Sequence, residues 1–200
     1  MIAGAFLRMP SFPLTLWVER LCRAHSVVAL YFSATEWPRE WKRRFFVADQ
    51  TKPLVGIIMG SESDMPNMEP CMKQLEEFGI PYEVKVASAH RKPAEVHEWA
   101  SSAEERGMRV IVAAAGKAAH LGGVVAAYTP LPVIAVPMKT SDLGGLDSLL
   151  SMVQMPSGVP VACVAINGAK NAAILAVQML GTGNDECRKK IADFKAKMAE

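Results

Sequence analysis

The chain has 200 residues, of which 50% are hydrophobic and 21% are charged, and its formal net charge is +2. This composition is typical of a globular protein and excludes a disordered one, and so small a net charge indicates no nucleic-acid partner and no membrane partner. No apolar stretch reaches the roughly 18 residues that a membrane-spanning helix needs. The four cysteines have no metal-like spacing, which favours reduced thiols in a cytoplasmic protein and indicates no metal site.

Residues 1–52 form a leader whose composition differs from that of the remaining chain. The leader is rich in tryptophan, phenylalanine and arginine, and neither a helical nor a strand period persists along it. Its acidic and aromatic residues argue against a transit peptide, so it is interpreted as an irregular, disordered extension or as a mis-assigned start. We favour the second interpretation, in which the native protein starts at Val47.

From residue 53 onward, short apolar stretches alternate with amphipathic ones. Apolar runs bounded by glycine or proline predict strands, and apolar residues that recur at helical spacing predict helices. The predicted strands cover residues 54–60, 82–88, 110–116, 132–137 and 159–166. The predicted helices cover residues 65–79, with Asp64 as the N-cap, and then 93–107, 117–129, 145–154 and 169–181.

This alternation favours a parallel sheet with helices on both faces, because parallel strands need crossover connections. The predicted fold for residues 53–183 is therefore an α/β protein, a three-layer α/β/α sandwich with a doubly wound parallel sheet. In such sheets, ligands bind beyond the carboxyl ends of the strands. The residues that directly follow the strands are therefore the candidates for a site.

Polar clusters follow each of the first three predicted strands. Hydroxyls at a helix start can bind an anion, arginine suits phosphate or carboxylate, and histidine suits proton transfer near neutral pH. Each cluster taken alone also has a structural explanation: a helix cap, a surface turn or a core histidine. Their joint position at one sheet edge favours a ligand site. In chain order the clusters contain Ser61, Ser63 and Asp64, then Ser88, His90 and Arg91, then Gly116 and His120.

Five segments carry a family resemblance: GIIMGSESD, SAHRKP, AGKAAHLGG, GLDSLLSMVQMPSGVPVA and AINGAKNAAILA. In order and spacing they resemble the N5-carboxyaminoimidazole ribonucleotide mutase family over residues 53–181. The resemblance implies a flavodoxin-like subunit, a homo-octamer, a small-molecule ribonucleotide substrate and no metal or organic cofactor. It also implies an isomerase of de novo purine (IMP) biosynthesis that moves a carboxylate by decarboxylation and recarboxylation.

The resemblance also implies the roles of individual residues. His90 is expected to be the general acid and base. The residues expected to bind substrate are Ser61, Ser63, Asp64, Ser88, Arg91, Gly116 and His120.

The chain departs from the family pattern at two positions near the expected site. Lys117 replaces a glycine, and Gly122 stands where proline is usual. Lys117 either adds a cation near the ligand or faces solvent, and we favour the second. Two other functions stay open, direct CO2-dependent carboxylation of aminoimidazole ribonucleotide and a non-catalytic nucleotide-sensing role. Arg91 and the AAHL segment favour the mutase over the direct carboxylase.

Residues 184–200 are predicted to form an amphipathic helix. Ile191, Phe194 and Met198 lie on one face of it among lysines. A five-strand sandwich leaves this helix without a partner in its own subunit. We therefore expect it to pack on a neighbouring subunit.

Overall fold

A computed structural model of the protein describes residues 52–200, so the expectations for the leader and for a start at Val47 lie outside the described residues. The strands are β1 (Val55–Met59), β2 (Tyr82–Val86), β3 (Val110–Ala115), β4 (Val133–Pro137) and β5 (Ala162–Cys163). The helices are α1 (Met65–Glu77), α2 (Pro93–Ser101), α3 (Leu121–Tyr128), α4 (Leu146–Val153), α5 (Ala169–Leu180) and α6 (Asp185–Met198). A short 3-10 helix, Glu62–Asp64, precedes α1. None of the helices in this described part is long and apolar enough to cross a membrane.

The strands form one parallel sheet in the order β2-β1-β3-β4-β5. Strands β1, β3 and β4 are buried along their whole length, because helices cover both faces of the sheet centre. The chain passes from β1 to β2 on one side and then crosses to β3 on the other. The carboxyl end of β1 is therefore the topological switch point, which is where ligands bind in sheets of this kind.

Each face of the sheet has its own apolar core. Val55, Ile57 and Met59 pack toward the layer that contains α1, α5 and α6. Ile58 packs toward the opposite layer, which contains α2, α3 and α4. Successive side chains of a strand point to opposite faces of the sheet, so each central strand contributes residues to both cores. The predicted three-layer α/β/α sandwich is confirmed.

Two predicted helices are shorter in the structure. The helix expected at 117–129 begins only at Leu121. The backbone of Lys117 has a φ of +58, which is left-handed and cannot continue a right-handed helix. The helix expected at 93–107 ends at Ser101, because the hydroxyls of two consecutive serines donate to carbonyls of its last turn and compete with its continuation.

The predicted fifth strand is also shorter. Of residues 159–166, only Ala162–Cys163 pairs with β4 as a strand. This strand lies at the sheet edge, and Pro160 has no backbone N–H to donate to a ladder. The apolar run is therefore half-buried chain rather than a fully paired strand.

Helix α6 packs on its own subunit. The Phe194 ring meets the Phe78 ring edge-on with 5.4 Å between centroids, and Ile191 is buried in the adjoining core. The expectation that this helix has no partner within the sandwich is therefore wrong. Packing on a neighbouring subunit stays a prediction for its exposed side, which includes Met198.

Candidate functional site

A cavity of about 610 Å³ lies at the carboxyl edge of the sheet, between loops that follow the first four strands. A smaller cavity of about 370 Å³ adjoins it and shares Gly60, Ser61, Ser88 and Arg91 with it. All eight residues predicted for the site line the larger cavity. They are Ser61, Ser63, Asp64, Ser88, His90, Arg91, Gly116 and His120.

The loop after β1 is held by its own hydroxyls. The Ser61 Oγ accepts hydrogen bonds from the Ser63 backbone N–H at 3.3 Å and from the Ser63 hydroxyl at 2.9 Å. Ser61 thus caps the short 3-10 helix. Asp64 occupies the predicted N-cap position of α1, but within the described part of the chain its side chain makes no capping hydrogen bond.

The Asp64 carboxyl is half-buried at the cavity wall. Desolvation by burial raises the pKa of this carboxyl, and a hydrogen bond from the Ser61 backbone acts in the opposite direction. Burial is the larger of the two causes. The ionised form of Asp64 is therefore less favourable here than in water.

The loop after β2 forms a compact turn that carries the arginine. The Arg91 backbone N–H donates to the Ser88 hydroxyl at 3.3 Å, and the Arg91 guanidinium donates to the Gly60 carbonyl at 3.4 Å. This second bond ties the loop after β2 to the loop after β1. The guanidinium lies where the two cavities meet, since both include Arg91 in their walls.

His90 and His120 contact each other inside the cavity. Their rings lie nearly perpendicular, and His90 Nε2 is 2.9 Å from His120 Nδ1. One nitrogen of such a contact must donate and the other must accept, so the pair shares a single hydrogen. His120 is exposed at the N-cap position of α3, which argues against the core histidine that its sequence context also allowed.

The loop after β3 is shaped by a glycine and a strained lysine. A Cβ on Gly116 would lie 2.9 Å from Thr140 Cγ2, so only glycine fits without a shift of the wall. Lys117 lines the cavity, and its ammonium is 2.8 Å from the Asp142 carboxylate. This ion pair raises the pKa of Lys117 and lowers the pKa of Asp142. Lys117 thus lines the cavity while 68% of its side chain stays exposed, and a role as a cation near the ligand stays a prediction.

Thr140 is a cavity residue that the sequence analysis missed. It follows β4 in the stretch MKTSD, and the criterion applied to the first three strands would have found it. Within residues 52–200, its buried Oγ1 has no hydrogen-bond partner. In the same range, no three His, Cys, Asp or Glu side chains come together as metal ligands.

Comparisons with known proteins find one matching family model and relatives named as mutases or as a carboxylase. The AIR carboxylase family model matches residues 54–200. The chain is 58% identical to the N5-carboxyaminoimidazole ribonucleotide mutase of Pyrococcus horikoshii, over 74% of this chain and 86% of that protein. It is 60% identical to the mutase of Thermotoga maritima, over 73% and 85%. It is also 58% identical to a phosphoribosylaminoimidazole carboxylase of Candida glabrata, but there it covers only 26% of the relative.

The solved structure of Treponema denticola PurE is similar to this chain in fold. It matches with a TM-score of 0.67 and 31% identity, over 74% of this chain and 92% of that one. A second structure from the same organism, of a PurE2 variant, matches with a TM-score of 0.68 and 30% identity. The flavodoxin-like fold expected from the sequence is thereby confirmed.

Proposed function

The chain belongs to the AIR carboxylase family, and we propose that it is an isomerase of de novo purine biosynthesis. It converts N5-carboxyaminoimidazole ribonucleotide into 4-carboxy-5-aminoimidazole ribonucleotide. The observation that carries this assignment is the identity of 58% and 60% with two mutases, over 86% and 85% of their chains. The residues of the cavity supply chemistry suited to this reaction.

The phosphate of the substrate binds beside Arg91, with Ser88 next to it. A guanidinium presents several N–H donors and stays charged at any physiological pH, so it suits a phosphate. The hydroxyls of Ser61 and Ser63 contact the ribose phosphate, and Asp64 accepts from a ribose hydroxyl. Binding the phosphate far from the reacting atoms holds the ring in register for the chemical step.

The imidazole ring of the substrate lies beside His90, with His120 and Gly116 around it. In the first step the bond between N5 and the carboxylate carbon breaks, its electron pair stays on the nitrogen, and CO2 is released into the cavity. The nitrogen takes a proton from His90. In the second step C4 attacks the carbon of CO2, and the proton on C4 passes to His90, so the enzyme ends as it began.

His120 supports this exchange through its contact with His90. When His90 carries a proton on each nitrogen, its Nε2–H can donate to a neutral His120 Nδ1 at the observed 2.9 Å. The contact thus gives the His90 Nε2–H an acceptor at the stage when His90 holds the transferred proton. Two charged imidazoles could not share the contact, because both nitrogens would then be donors.

The CO2 intermediate has to be kept between the two steps. Ala89, Ala118 and Leu121 line the cavity beside the polar groups. Small apolar side chains exclude water and leave room for an uncharged molecule. This part of the wall therefore suits a site that holds CO2.

A matched pair of assays tests the assignment. One supplies N5-carboxyaminoimidazole ribonucleotide and the other supplies aminoimidazole ribonucleotide with bicarbonate, and both follow the 4-carboxy product by its ultraviolet absorbance. We expect turnover of the first substrate alone. Turnover of the second at low bicarbonate would assign direct carboxylation, the second candidate, which the name of the Candida glabrata relative favours. Binding of the nucleotides without turnover in either assay would favour a sensing role.

The protein is further expected to act in the cytoplasm as a homo-octamer, without a metal or organic cofactor. Support for association comes from α4, where Leu146, Leu150 and Val153 are each about half exposed on one helical face, with Leu143 nearby. Exposed apolar faces of this kind are typical of protein interfaces. Light scattering after size-exclusion chromatography measures the mass of the oligomer. The mass of a monomer would contradict the expected octamer. Loss of activity in EDTA would contradict the absence of a metal.

A further inference from the structure

Lys117 is an unfavourable residue for its position if stability alone is considered. Its φ of +58 lies in the left-handed region, where glycine is unstrained and other residues are not. Its ion pair with Asp142 joins side chains that are 68% and 53% exposed, and exposed ion pairs contribute little to folding. The pair therefore does not offset the strain, and backbone strain of this kind clusters at functional sites.

The cavity is lined by charged residues from three different loops. Among the described residues that line it, Arg91 and Lys117 are the permanent cations and Asp64 is the carboxylate. Arg91 follows β2 and Lys117 follows β3, and β1 lies between these strands in the sheet. The His90–His120 contact spans the same interval. The loops that carry the two histidines thus also carry one cation each, Arg91 after β2 and Lys117 after β3.

The proposed substrate has the matching distribution of charge. It carries a phosphate on the ribose and a carboxylate on the base, and the carboxylate is the group that moves. If Arg91 binds the phosphate, Lys117 is the other permanent cation among the described residues that line the cavity. The geometry points to Lys117 as the residue that binds the substrate carboxylate, exchanging Asp142 for it; this inference rests on the proposed function.

The contact with Asp142 explains how such an exchange can proceed. Asp142 lies in the loop after β4, two residues beyond the cavity residue Thr140. Its carboxylate lies 2.8 Å from the Lys117 ammonium. Replacing one carboxylate partner by another conserves the charge pairing, and the exposed pair is weak enough to be displaced.

The same contact could instead act as a strap that holds the loop after β4 over the cavity. A strap needs both partners equally, whereas a carboxylate site needs only Lys117. An exposed ion pair holds a loop only weakly, so its low strength disfavours the strap. Single substitutions at the two partners separate these roles.

Isothermal titration calorimetry with two ligands tests the inference. Aminoimidazole ribonucleotide and its 4-carboxy derivative differ only in the carboxylate. We expect Lys117→Met to weaken binding of the 4-carboxy ligand about tenfold and to change the affinity for the other ligand less than about twofold. Asp142→Asn should leave the affinity for the 4-carboxy ligand unchanged or make it tighter, because it frees the ammonium.

Matched variants control for charge and folding. Lys139→Met removes an exposed lysine from the neighbouring loop and should change neither affinity. Lys117→Gly relieves the left-handed strain and should fold at least as stably as the parent while losing the same discrimination. Thermal melting of each variant measures its folding.

Three results would overturn the inference. Equal weakening by Asp142→Asn and Lys117→Met would establish the strap. Equal weakening of both ligands by Lys117→Met would show a general effect on the cavity, and no weakening would remove Lys117 from binding altogether. Turnover of the parent protein is measured separately. A protein that shows the expected binding pattern without isomerising its substrate would keep this inference and lose the proposed activity.

Discussion

His90 Nε2 lies 2.9 Å from His120 Nδ1, although 30 positions separate the two histidines in the chain. The contact joins the loop after β2 to the loop before α3, across the carboxyl end of β1. Either ring therefore sets the hydrogen-bonding state of the other. A substitution at one of them removes a hydrogen-bond partner from the other.

Replacing His90 by asparagine should abolish most of the turnover. The amide cannot exchange a proton near neutral pH, and general acid–base catalysis typically contributes about 10²–10⁴-fold to a rate. We expect kcat to fall within that range while binding of aminoimidazole ribonucleotide is retained. His97→Asn is the control, because His97 is exposed on α2 and packs against Tyr128 outside the cavity wall. Undiminished kcat in His90→Asn would remove His90 from the chemistry.

Replacing Gly116 by alanine should distort the cavity. The added Cβ would lie 2.9 Å from Thr140 Cγ2, so the Thr140 side chain or the backbone of residue 116 has to move, and overpacking of this kind costs about 1–3 kcal/mol. We expect a lower melting temperature and a higher KM.

Two further variants make the Gly116 prediction specific. Gly60→Ala also adds a methyl group at the cavity wall, but its nearest neighbour would be 3.7 Å away, so it should be tolerated. Thr140→Ser removes the methyl group that collides and should restore the stability of Gly116→Ala. Failure of this rescue would mean that the contact with Thr140 is not the cause.

Asp64 should make stability fall as the pH rises. Burial raises its folded-state pKa above the usual 3.8, so between the unfolded and folded pKa values the native protein binds more protons than the unfolded chain. The free energy of unfolding therefore decreases with pH through that window. Asp64→Asn should raise the melting temperature at pH 7 by about 1 °C, a small effect because half of the carboxyl remains solvated.

Thermal melts of the parent protein and Asp64→Asn at several pH values check the sign. The difference between them should shrink as the pH is lowered toward 3.8, because the folded carboxyl, whose pKa is raised, takes up its proton before the unfolded one does. A lower melting temperature for Asp64→Asn at pH 7 would mean that the hydrogen bond from the Ser61 backbone outweighs the burial.

Two positions on α6 should separate folding from assembly. Phe194→Ala removes the edge-to-face contact with Phe78 and should lower the free energy of unfolding by about 1–3 kcal/mol, less than for a fully buried ring. Met198 is 68% exposed, so Met198→Ala should change the stability of the subunit by less than about 0.5 kcal/mol. If α6 also packs on a neighbouring subunit through this side, Met198→Ala weakens the oligomer in light scattering. An unchanged oligomer would contradict that packing.

The central part of the fold could be predicted because its residues obey simple periods. The runs at β1, β3 and β4 are apolar throughout, as expected for strands covered on both faces. The edges could not be predicted in the same way. The run at 159–166 is as apolar as the others, but pairing also depends on a neighbouring strand, and a strand at the sheet edge has only one.

The site residues could be predicted from position, because the carboxyl ends of parallel strands meet at one edge. That argument brings His90 and His120 to the same edge but gives no distance between them. The left-handed backbone of Lys117 and its pairing with Asp142 depend on how the loops after β3 and β4 approach each other, and no local pattern encodes this approach. Thr140 was within reach of the same reasoning and was overlooked.

Each wall of the cavity is a loop that follows a different strand, and this arrangement affects which substitutions the protein can accept. A substitution inside β1, β3 or β4 alters the packing of both helical layers, so selection for folding restricts it. A substitution in a loop alters one wall and leaves the framework intact. Lys117 illustrates the second case, since it lies in a loop and places a charged side chain at the cavity wall without being part of the sheet. Sequence change in this protein is therefore expected to accumulate one wall at a time, with substrate preference free to drift while the scaffold stays fixed.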